Sequence, residues 1–184
     1  MTAPVTAPVT APVLGKLDWK PAAEVPELLA VPVRDALGDL PAYAAPIDAE
    51  LADTAAFCAE YDVPMAASAN CVIVLGKRAG EETHAAVLVL ATGRADVNGV
   101  VRKHLGVRKI SFAAQDDAVG STGMEYGGIT PIGLPADWPV LVDEAVVAAG
   151  PVVIGSGIRG SKILIDAAAL AKLPAATVLD LAQH

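Results

Sequence analysis

The sequence predicts an α+β fold in one main domain, with a mixed, largely antiparallel β-sheet or barrel flanked by helices. The chain has 184 residues, a one-domain length, and 54% of them are hydrophobic, enough to bury a core. Short apolar runs typical of buried strands alternate with short helices without a regular β-α-β rhythm. Several strands are joined by links too short for a crossover helix, which favours antiparallel pairing.

Proline dominates the N-terminal quarter of the chain. Residues 1–15 are predicted to be a flexible tail, because Thr-Ala-Pro-Val occurs three times over residues 2–13 and such regular proline opposes both helix and sheet. Residues 16–46 are predicted to be an N-terminal extension with at most a short helix within 24–30 or 33–37. The prolines that interrupt it are Pro21, Pro26, Pro32 and Pro41. The main domain is expected to span residues 47–184.

The first half of the main domain is predicted to hold two helices and three strands. Asp48 is expected to cap a helix that runs to about Tyr61, because apolar residues recur on one helical face behind it. Asp96 is expected to cap a second helix, which ends at Gly106. A turn over 76–82 is expected to join the first two strands. The predicted strands are Cys71–Leu75, Ala85–Ala91 and Val107–Phe112.

The second half is predicted to begin with a short helix over 115–119 and a turn-rich stretch from 120 to 139. A short helix capped by Asp166 is expected before the last strand. The glycines of 155–160 match G-x-G-x-x-G, but a strand follows them, which favours a tight glycine hairpin over a dinucleotide-binding turn. The predicted strands are Val140–Val142, Val152–Ile154, Lys162–Ile165 and Thr177–Leu179.

Charge and composition restrict the class of partner. The net charge of −8 argues against DNA or general nucleic-acid binding. However, residues 76–112 carry seven basic and three acidic side chains, so this segment is either a solvated face or a local patch for a phosphate backbone. No apolar run approaches the ~20 residues that span a bilayer, and no signal-peptide pattern occurs, so no membrane partner is expected.

The cysteines and histidines predict no metal site and no cofactor. Two cysteines, Cys58 and Cys71, are too few for a disulfide framework and fit a reducing cytoplasm. Both are expected to be structural, with a nucleophilic role for Cys71 left open. The three histidines, His84, His104 and His184, share no metal-ligand spacing with each other or with the cysteines.

The stretch 121–139 is the most informative part of the chain for function. It reads STGMEYGGITPIGLPADWP and contains four glycines and three prolines. Glycines let backbone N–H groups converge on one point, and prolines stiffen the surrounding chain. The segment is therefore either an oxyanion hole or carboxylate clamp made of backbone, or an ordinary irregular connection.

Three motifs resemble the YbaK/EbsC family, which includes the editing insertion of bacterial prolyl-tRNA synthetases and its free-standing relatives. The first is the loop G-x-x-x-G-G-I-T-P-x-G over residues 123–133. The second is Val140-Leu-Val-Asp143, which is similar to a family strand that ends in Asp. The third is the glycine hairpin of 152–160, with Gly157-Ile-Arg-Gly160 as its G-x-[RK]-G. The resemblance covers most of the chain, from about residue 48 to 182.

The resemblance implies hydrolysis of mischarged aminoacyl-tRNA in trans, in the cytoplasm and without a metal or cofactor. Backbone amides of Gly127–Pro131 would hold the aminoacyl carbonyl, and the terminal 2′-hydroxyl of the tRNA would assist an attacking water. Gly127, Gly128 and Asn70 are the implied catalytic positions. The implied substrate-binding residues are Thr130, Pro131, Asp143, Ser156, Gly157, Arg159 and Gly160.

Asn70 departs from the family pattern. Family members with editing activity carry a lysine at the start of this strand, which is implied to contact the terminal phosphate of the tRNA, and asparagine supplies no charge there. Another cation could replace it, with Arg159, Lys162 and Lys77 as the candidates. The alternative functions are a non-catalytic binder of an aminoacyl-tRNA end, a nucleotide or a small molecule, or a hydrolase of another small ester or amide.

Overall fold

The computed structural model describes residues 11–183, so most of the predicted repeat tail lies outside the described residues. Five α-helical segments and eleven strands follow one another, with short 3-10 turns between them. The helical segments are α1 (Val31–Leu37), α2 (Thr54–Tyr61), α3 (Arg102–His104), α4 (Gln115–Thr122) and α5 (Glu144–Val147). The strands are β1 (Lys20–Pro21), β2 (Ala42–Pro46), β3 (Ala69–Arg78), β4 (Glu81–Leu90), β5 (Arg94–Ala95), β6 (Lys109–Phe112), β7 (Val140–Asp143), β8 (Pro151–Gly155), β9 (Ser161–Asp166), β10 (Ala176–Leu179) and β11 (Ala182–Gln183).

Two sheets carry the fold, and they confirm the predicted α+β class. One sheet has the order β1-β2-β9-β8 and is antiparallel throughout. The other has the order β10-β7-β4-β3-β6, and only β7 pairs in parallel, with β4 on one side and β10 on the other. A small β11-β5 pair completes the strands, and within residues 11–183 neither sheet closes into a barrel.

The main core lies between the two sheets. Alternate residues of each strand face it, as Val152 and Ile154 of β8 do, together with Val33 and Leu37 of α1. The intervening Val153 faces the opposite side, where it packs with Phe57 of α2. The outer face of the five-stranded sheet has its own apolar cluster, which includes Val74, Val87 and Leu141. The strands are predicted from continuous apolar runs, and these runs arise because each sheet packs against apolar clusters on both faces.

The predicted turn over 76–82 is wrong, because β3 and β4 continue through most of it. They form one long hairpin that turns at Ala79 and Gly80, both of which have positive φ. Gly76 stays within β3, where the side chain of Val107 occupies the space that a Cβ would fill, at 2.8 Å. A glycine that resembles a turn signal in the sequence is here required for close packing.

The first predicted helix of the main domain is divided in two. Asp48 caps only a 3-10 turn, Ala49–Leu51, by accepting from the N–H of Glu50 at 3.0 Å. Asp53 then adopts non-helical backbone angles and caps α2 through the N–H of Ala55 at 3.1 Å. The cap predicted for Asp96 is confirmed, since its carboxylate accepts from two N–H groups at the start of a π-helical turn, Val97–Val101, that leads into α3.

The segment 16–46 contributes to both the four-stranded sheet and the main core. β2 pairs along its length with β9, and Trp19 is buried against the outer face of this sheet. The Trp19 indole donates to the carbonyl of Leu14 at 2.9 Å. Within residues 11–183, no helix combines the length and apolar character needed to cross a bilayer.

Candidate functional site

A cavity of about 610 Å³ opens between the start of β3 and the β8–β9 hairpin. Five further segments line it: the start of α2, the 3-10 turn Met65–Ala67, the end of β6, Ala118 of α4 and the glycine loop. Among the sequence-predicted site residues, Asn70, Gly127 and Arg159 reach its wall. Lys162, one of the predicted replacement cations, also lines it.

Backbone hydrogen bonds hold the glycine loop against the β8–β9 hairpin. The N–H of Gly157 donates to the carbonyl of Gly128 at 2.7 Å, and the N–H of Glu125 donates to the carbonyl of Gly157 at 2.8 Å. The Glu125 carboxylate also accepts from the N–H of Arg159 at 2.7 Å. The predicted glycine hairpin of 155–160 is therefore the support on which the loop rests.

Two glycines are required because the loop and the hairpin approach each other closely. A Cβ on Gly128 would lie 2.6 Å from the carbonyl oxygen of Ile158, and one on Gly155 would lie 2.4 Å from that of Gly128. Both contacts are with backbone, which cannot rotate away as a side chain can. Gly127 differs, since a Cβ there would meet the movable Nη1 of Arg159 at 2.6 Å, although its φ of +85° also favours glycine.

The loop leaves two cavity-lining amides available. The N–H of Gly128 is engaged, because it donates to the carbonyl of Glu125 at 2.9 Å. Gly127 and Ile129 both line the cavity, and within residues 11–183 their N–H groups donate to no protein acceptor. The two residues on either side of Gly128 therefore line the cavity and have unengaged backbone N–H groups.

Arg159 connects the glycine loop with the 3-10 turn before α2. Its Nη1 donates to the carbonyl of Tyr126 at 3.1 Å, and its Nη2 donates to the carbonyl of Ala49 at 3.0 Å. These bonds fix the guanidinium at the cavity wall beside Gly127. They also leave part of its donor capacity free, since a guanidinium has five N–H groups.

Lys162 and Asn70 contact the same short segment, residues 52–54. Lys162 is 8% exposed, and its Nζ donates to the carbonyl of Ala52 at 3.1 Å. The Oδ1 of Asn70 accepts from the hydroxyl of Thr54 at 2.5 Å. Burial is the main cause that lowers the pKa of Lys162, and Arg159 lowers it further, whereas Cys58 and Asp53 act in the opposite direction.

Lys77 lies outside the cavity. It stands near the far end of β3, where its Nζ forms an ion pair with Glu82 at 2.7 Å. Of the three cations considered as replacements for the missing lysine, Arg159 and Lys162 therefore share the cavity with Asn70, and Lys77 does not.

Six of the predicted substrate-binding residues lie outside the cavity lining. Asp143 is buried and accepts from the N–H groups of Leu181 and Ala182, at 2.8 and 3.2 Å, which anchors the C-terminal segment. The Ser156 hydroxyl bonds within the hairpin, with Ser161 at 2.6 Å. Thr130 is fully buried, and its hydroxyl has no partner among the described residues. The others are Pro131, Gly157 and Gly160.

Cys71 also lines the cavity, but its thiol is poorly suited to nucleophilic attack. Burial raises the pKa of Cys71 to about 12, so the thiol is protonated at neutral pH. Within residues 11–183, no group of three or more His, Cys, Asp or Glu side chains could hold a metal ion.

Three exposed apolar side chains surround the mouth of the cavity. Phe112 at the end of β6 is 63% exposed, Tyr126 in the glycine loop is 54% exposed, and Met65 is 38% exposed. They provide flat and flexible apolar surface at the entrance. Thr54 and Tyr126 were missed by sequence reasoning, because neither belongs to a recognised motif and only their places beside Asp53 and Gly127 could have pointed to them.

These features define a class: an α+β domain with a backbone-lined cavity between a glycine loop and a glycine hairpin. A solved structure described as a candidate trans-editing enzyme for prolyl tRNA synthetase matches 91% of this chain and 100% of its own, with 19% identity and a TM-score of 0.72. The protein APE2540 matches 75% of this chain and 86% of its own, with 23% identity and a TM-score of 0.64. At these identities, the two matches establish the fold.

The profile of the aminoacyl-tRNA editing domain matches residues 48–173, which is more than half of the chain. The chain belongs to the aminoacyl-tRNA editing domain family. The resemblance to YbaK/EbsC proteins drawn from the sequence motifs is thereby confirmed.

Proposed function

We propose that this protein hydrolyses mischarged aminoacyl-tRNA in trans, as a proofreading deacylase. The observation that carries the proposal is the set of residues that line the cavity, in a chain that belongs to the editing family. Gly127 and Ile129, whose backbone N–H groups have no acceptor within residues 11–183, line the same cavity as two cations, Arg159 and Lys162. The aminoacylated end of a tRNA offers the ester carbonyl oxygen to the first kind of group and a nucleotide phosphate to the second.

The amides of Gly127 and Ile129 are the proposed donors to the aminoacyl carbonyl. This refines the clamp predicted over Gly127–Pro131, since the Gly128 amide already donates to Glu125. Gly128 instead keeps the loop close to the hairpin, where any larger residue would meet backbone. Two preorganised donors of this kind stabilise negative charge that develops on the oxygen in the transition state.

The reaction needs little further assistance from the protein, because an aminoacyl ester is already activated. A water adds to the carbonyl carbon, and the C–O bond to the ribose breaks. The ribose oxygen leaves with a proton, giving free amino acid and tRNA. Positioning and charge stabilisation supply the acceleration, and a terminal hydroxyl of the tRNA is the proposed aid to the attacking water.

A tRNA partner is supported by a basic strip close to the cavity mouth, which we define as Arg78, Arg102, Lys103, Arg108 and Lys109. All five side chains are exposed. β6 lies beside β3 with Lys109 opposite Lys77, and Phe112 stands three residues further along. At about 3.3 Å per residue, the strip begins roughly 10 Å from the mouth. The proposed contact is with phosphates of the acceptor end, and the site of action is cytoplasmic.

The alternative is a protein that binds the aminoacyl-tRNA end without hydrolysing it. It is favoured by Asn70, because asparagine supplies no charge at the position where editing relatives carry lysine. The two functions differ in a direct way, since a binder protects the ester while a deacylase destroys it.

The test is a panel of mischarged tRNAs, beginning with alanyl- and cysteinyl-tRNA(Pro), incubated with the full chain at low and moderate salt. We expect one or more to lose its amino acid faster than in buffer. Filter binding on the same panel separates the alternatives. Binding with an unchanged or slower loss of amino acid would overturn the deacylase and favour the binder.

A further inference from the structure

Residues 28–33, which we call the N-terminal support, pack against the glycine loop and the β8–β9 hairpin but do not line the cavity. The N–H of Ala30 donates to the carbonyl of Ser156 at 3.0 Å. The hydroxyl of Ser161 donates to the carbonyl of Leu28. Ser156 follows the end of β8 and Ser161 begins β9, so the support is bonded to both ends of the hairpin turn.

The N-terminal support also leaves no room for a side chain at two glycines. A Cβ on Gly157 would overlap the Cβ of Ala30, and one on Gly133 would lie 2.6 Å from the carbonyl carbon of Pro32. Gly157 belongs to the hairpin and Gly133 to the glycine loop. The support is therefore in direct contact with both parts of the site, although it touches the cavity nowhere.

The backbone of Gly157 links Ala30 to the glycine loop. The N–H of Gly157 donates to the carbonyl of Gly128 at 2.7 Å, and the carbonyl of Gly157 accepts from the N–H of Glu125 at 2.8 Å. Glu125 and Gly128 stand on either side of Gly127 in the chain. Because protein interiors are close-packed and transmit strain, a displacement of Gly157 is passed to the loop on both sides of Gly127.

Alanine is a poor residue for the place that Ala30 occupies, which draws attention to its size. Ala30 is the N-cap of α1 and makes no side-chain hydrogen bond to the helix. Serine, threonine, asparagine, aspartate and glycine are all preferred to alanine at an N-cap. Ala30 is 7% exposed, and its methyl group lies against Gly157. The helix thus lacks a stabilising cap at the point where a small apolar group meets the hairpin.

We propose that Ala30 is a positioning residue for the glycine loop. Its methyl group fills the space beside Gly157 and fixes the hairpin, which in turn fixes the loop amides of Gly127 and Ile129. The inference rests on the proposed function for the reaction that these amides assist, but the placement of the loop can be measured without turnover. Ala30 precedes residues 48–173, the range that the editing-domain profile matches.

The test is a size series at position 30 in the full chain, Ala30→Gly and Ala30→Val, followed by deacylation kinetics and by amide NMR spectra. Valine pushes the hairpin outward and glycine leaves it unsupported. The kcat should fall roughly tenfold in both variants, since a misplacement of about 1 Å can cost about 100-fold. The KM for tRNA should change little, because the basic strip is untouched. The amide resonances of Gly127 and Ile129 should shift in both variants.

Ala42→Val is the matched control for a purely structural effect. Ala42 is 6% exposed and belongs to the same core cluster as Ala30, but it pairs with Ile165, at the far end of β9 from the hairpin. Overpacking should lower the melting temperature of Ala42→Val as it does that of Ala30→Val. The control should nevertheless keep its kcat and its loop resonances at temperatures where both variants are folded.

Loop resonances that stay in place in both position-30 variants would overturn the proposal. So would an equal loss of kcat in Ala42→Val. Ala30→Gly decides the matter if Ala30→Val does not fold, because glycine caps a helix better than alanine and removes only one methyl group. Loop resonances that move in Ala30→Gly, in a protein without deacylase activity, would disprove the proposed function and leave the positioning role established.

Discussion

Gly127 and Gly128 are neighbours in one motif but have different structural roles. Gly128 lies against the backbone of Ile158, and its N–H is engaged in a turn. Gly127 has an unengaged N–H at the cavity and only the end of the Arg159 side chain in front of it. Substitution at Gly128 therefore perturbs the fold first, whereas substitution at Gly127 perturbs the site first.

Gly127→Ala should lower the rate of deacylation by up to roughly 100-fold, the value of one oxyanion donor, because alanine keeps the N–H but moves it out of position. The new Cβ displaces the Arg159 guanidinium and shifts the loop amide. Gly80→Ala is the matched control, because Gly80 has the same φ of +85° and no atom within 4 Å of its Cβ position. Both variants should lose about 1–2 kcal/mol of stability from left-handed strain, but Gly80→Ala should keep its rate. Equal rates in the two variants would remove Gly127 from the mechanism.

Cys71→Ala should retain deacylation, since a thiol with a pKa of about 12 supplies almost no thiolate at neutral pH. The same protonated state predicts slow alkylation of Cys71 by iodoacetamide at pH 7.5, measured by mass spectrometry. Complete loss of activity in Cys71→Ala, with the fold intact by circular dichroism, would restore the nucleophilic alternative left open by the sequence.

At the scale of elements, a side-chain contact fixes α4 to the five-stranded sheet. The Nε2 of His84 on β4 lies 2.8 Å from the Oδ2 of Asp117 on α4, and the His84 ring stacks on Trp138 with centroids 4.7 Å apart. The hydrogen bond with His84 is the main cause that lowers the pKa of Asp117. α4 in turn supplies Ala118 to the cavity.

Asp117→Asn should reduce the free energy of unfolding at pH 6 by at most about 1 kcal/mol, because the pair is partly exposed and screened by solvent. A carboxylate with a depressed folded-state pKa stabilises the fold above the unfolded-state pKa and loses this contribution as the pH falls through the folded-state value. The difference in unfolding free energy between the variant and the unaltered protein should therefore disappear as the pH falls below about 4.

Urea unfolding at several pH values measures the effect of Asp117→Asn. Asp116→Asn controls for the charge at the same helix end, since both residues lie in the first turn of α4. The contact with His84 would contribute nothing of its own if the two variants lost the same unfolding free energy. The same conclusion would follow if the loss in Asp117→Asn persisted unchanged at pH 3.

Elements with a clear apolar pattern could be predicted from the sequence, and the connections between them could not. Val152, Val153 and Ile154 form a continuous apolar run, which predicts β8 as a strand that is buried on both faces. Gly76 resembles a turn signal, and only the packing of Val107 from a distant segment explains its place within β3. The glycine loop could likewise be singled out. The sequence could not choose among Arg159, Lys162 and Lys77, because it does not show that the β8–β9 hairpin lies against the start of β3.

At the scale of the whole molecule, an acidic protein presents a basic strip beside its cavity. The net charge is −8, yet residues 76–112 are net positive, and the fold brings the end of β3, α3 and the start of β6 together. Arg78 donates to the carbonyl of Gly106 at 3.0 Å, which fixes the segment after α3 against β3. The negative charge on the rest of the surface repels RNA. It thereby favours a single orientation of a bound tRNA, with its phosphates at the strip.

Binding of tRNA should weaken steeply as salt rises, and Arg108→Ala with Lys109→Ala should reduce the slope of log K against log salt by about 2. The paired control is Lys20→Ala with Lys172→Ala, which removes two exposed charges outside the strip. Filter binding at several salt concentrations between about 50 and 200 mM measures the slope. If both double variants changed the slope equally, the strip would have no special part in binding.

Hydrolysis of the ester is the decisive property of a deacylase. The measurement compares the loss of amino acid from alanyl-tRNA(Pro), cysteinyl-tRNA(Pro) and correctly charged prolyl-tRNA(Pro), with the full chain and with buffer alone. We expect a mischarged substrate to be deacylated well above the buffer rate while prolyl-tRNA(Pro) is spared. Decay of all three at the buffer rate would contradict it.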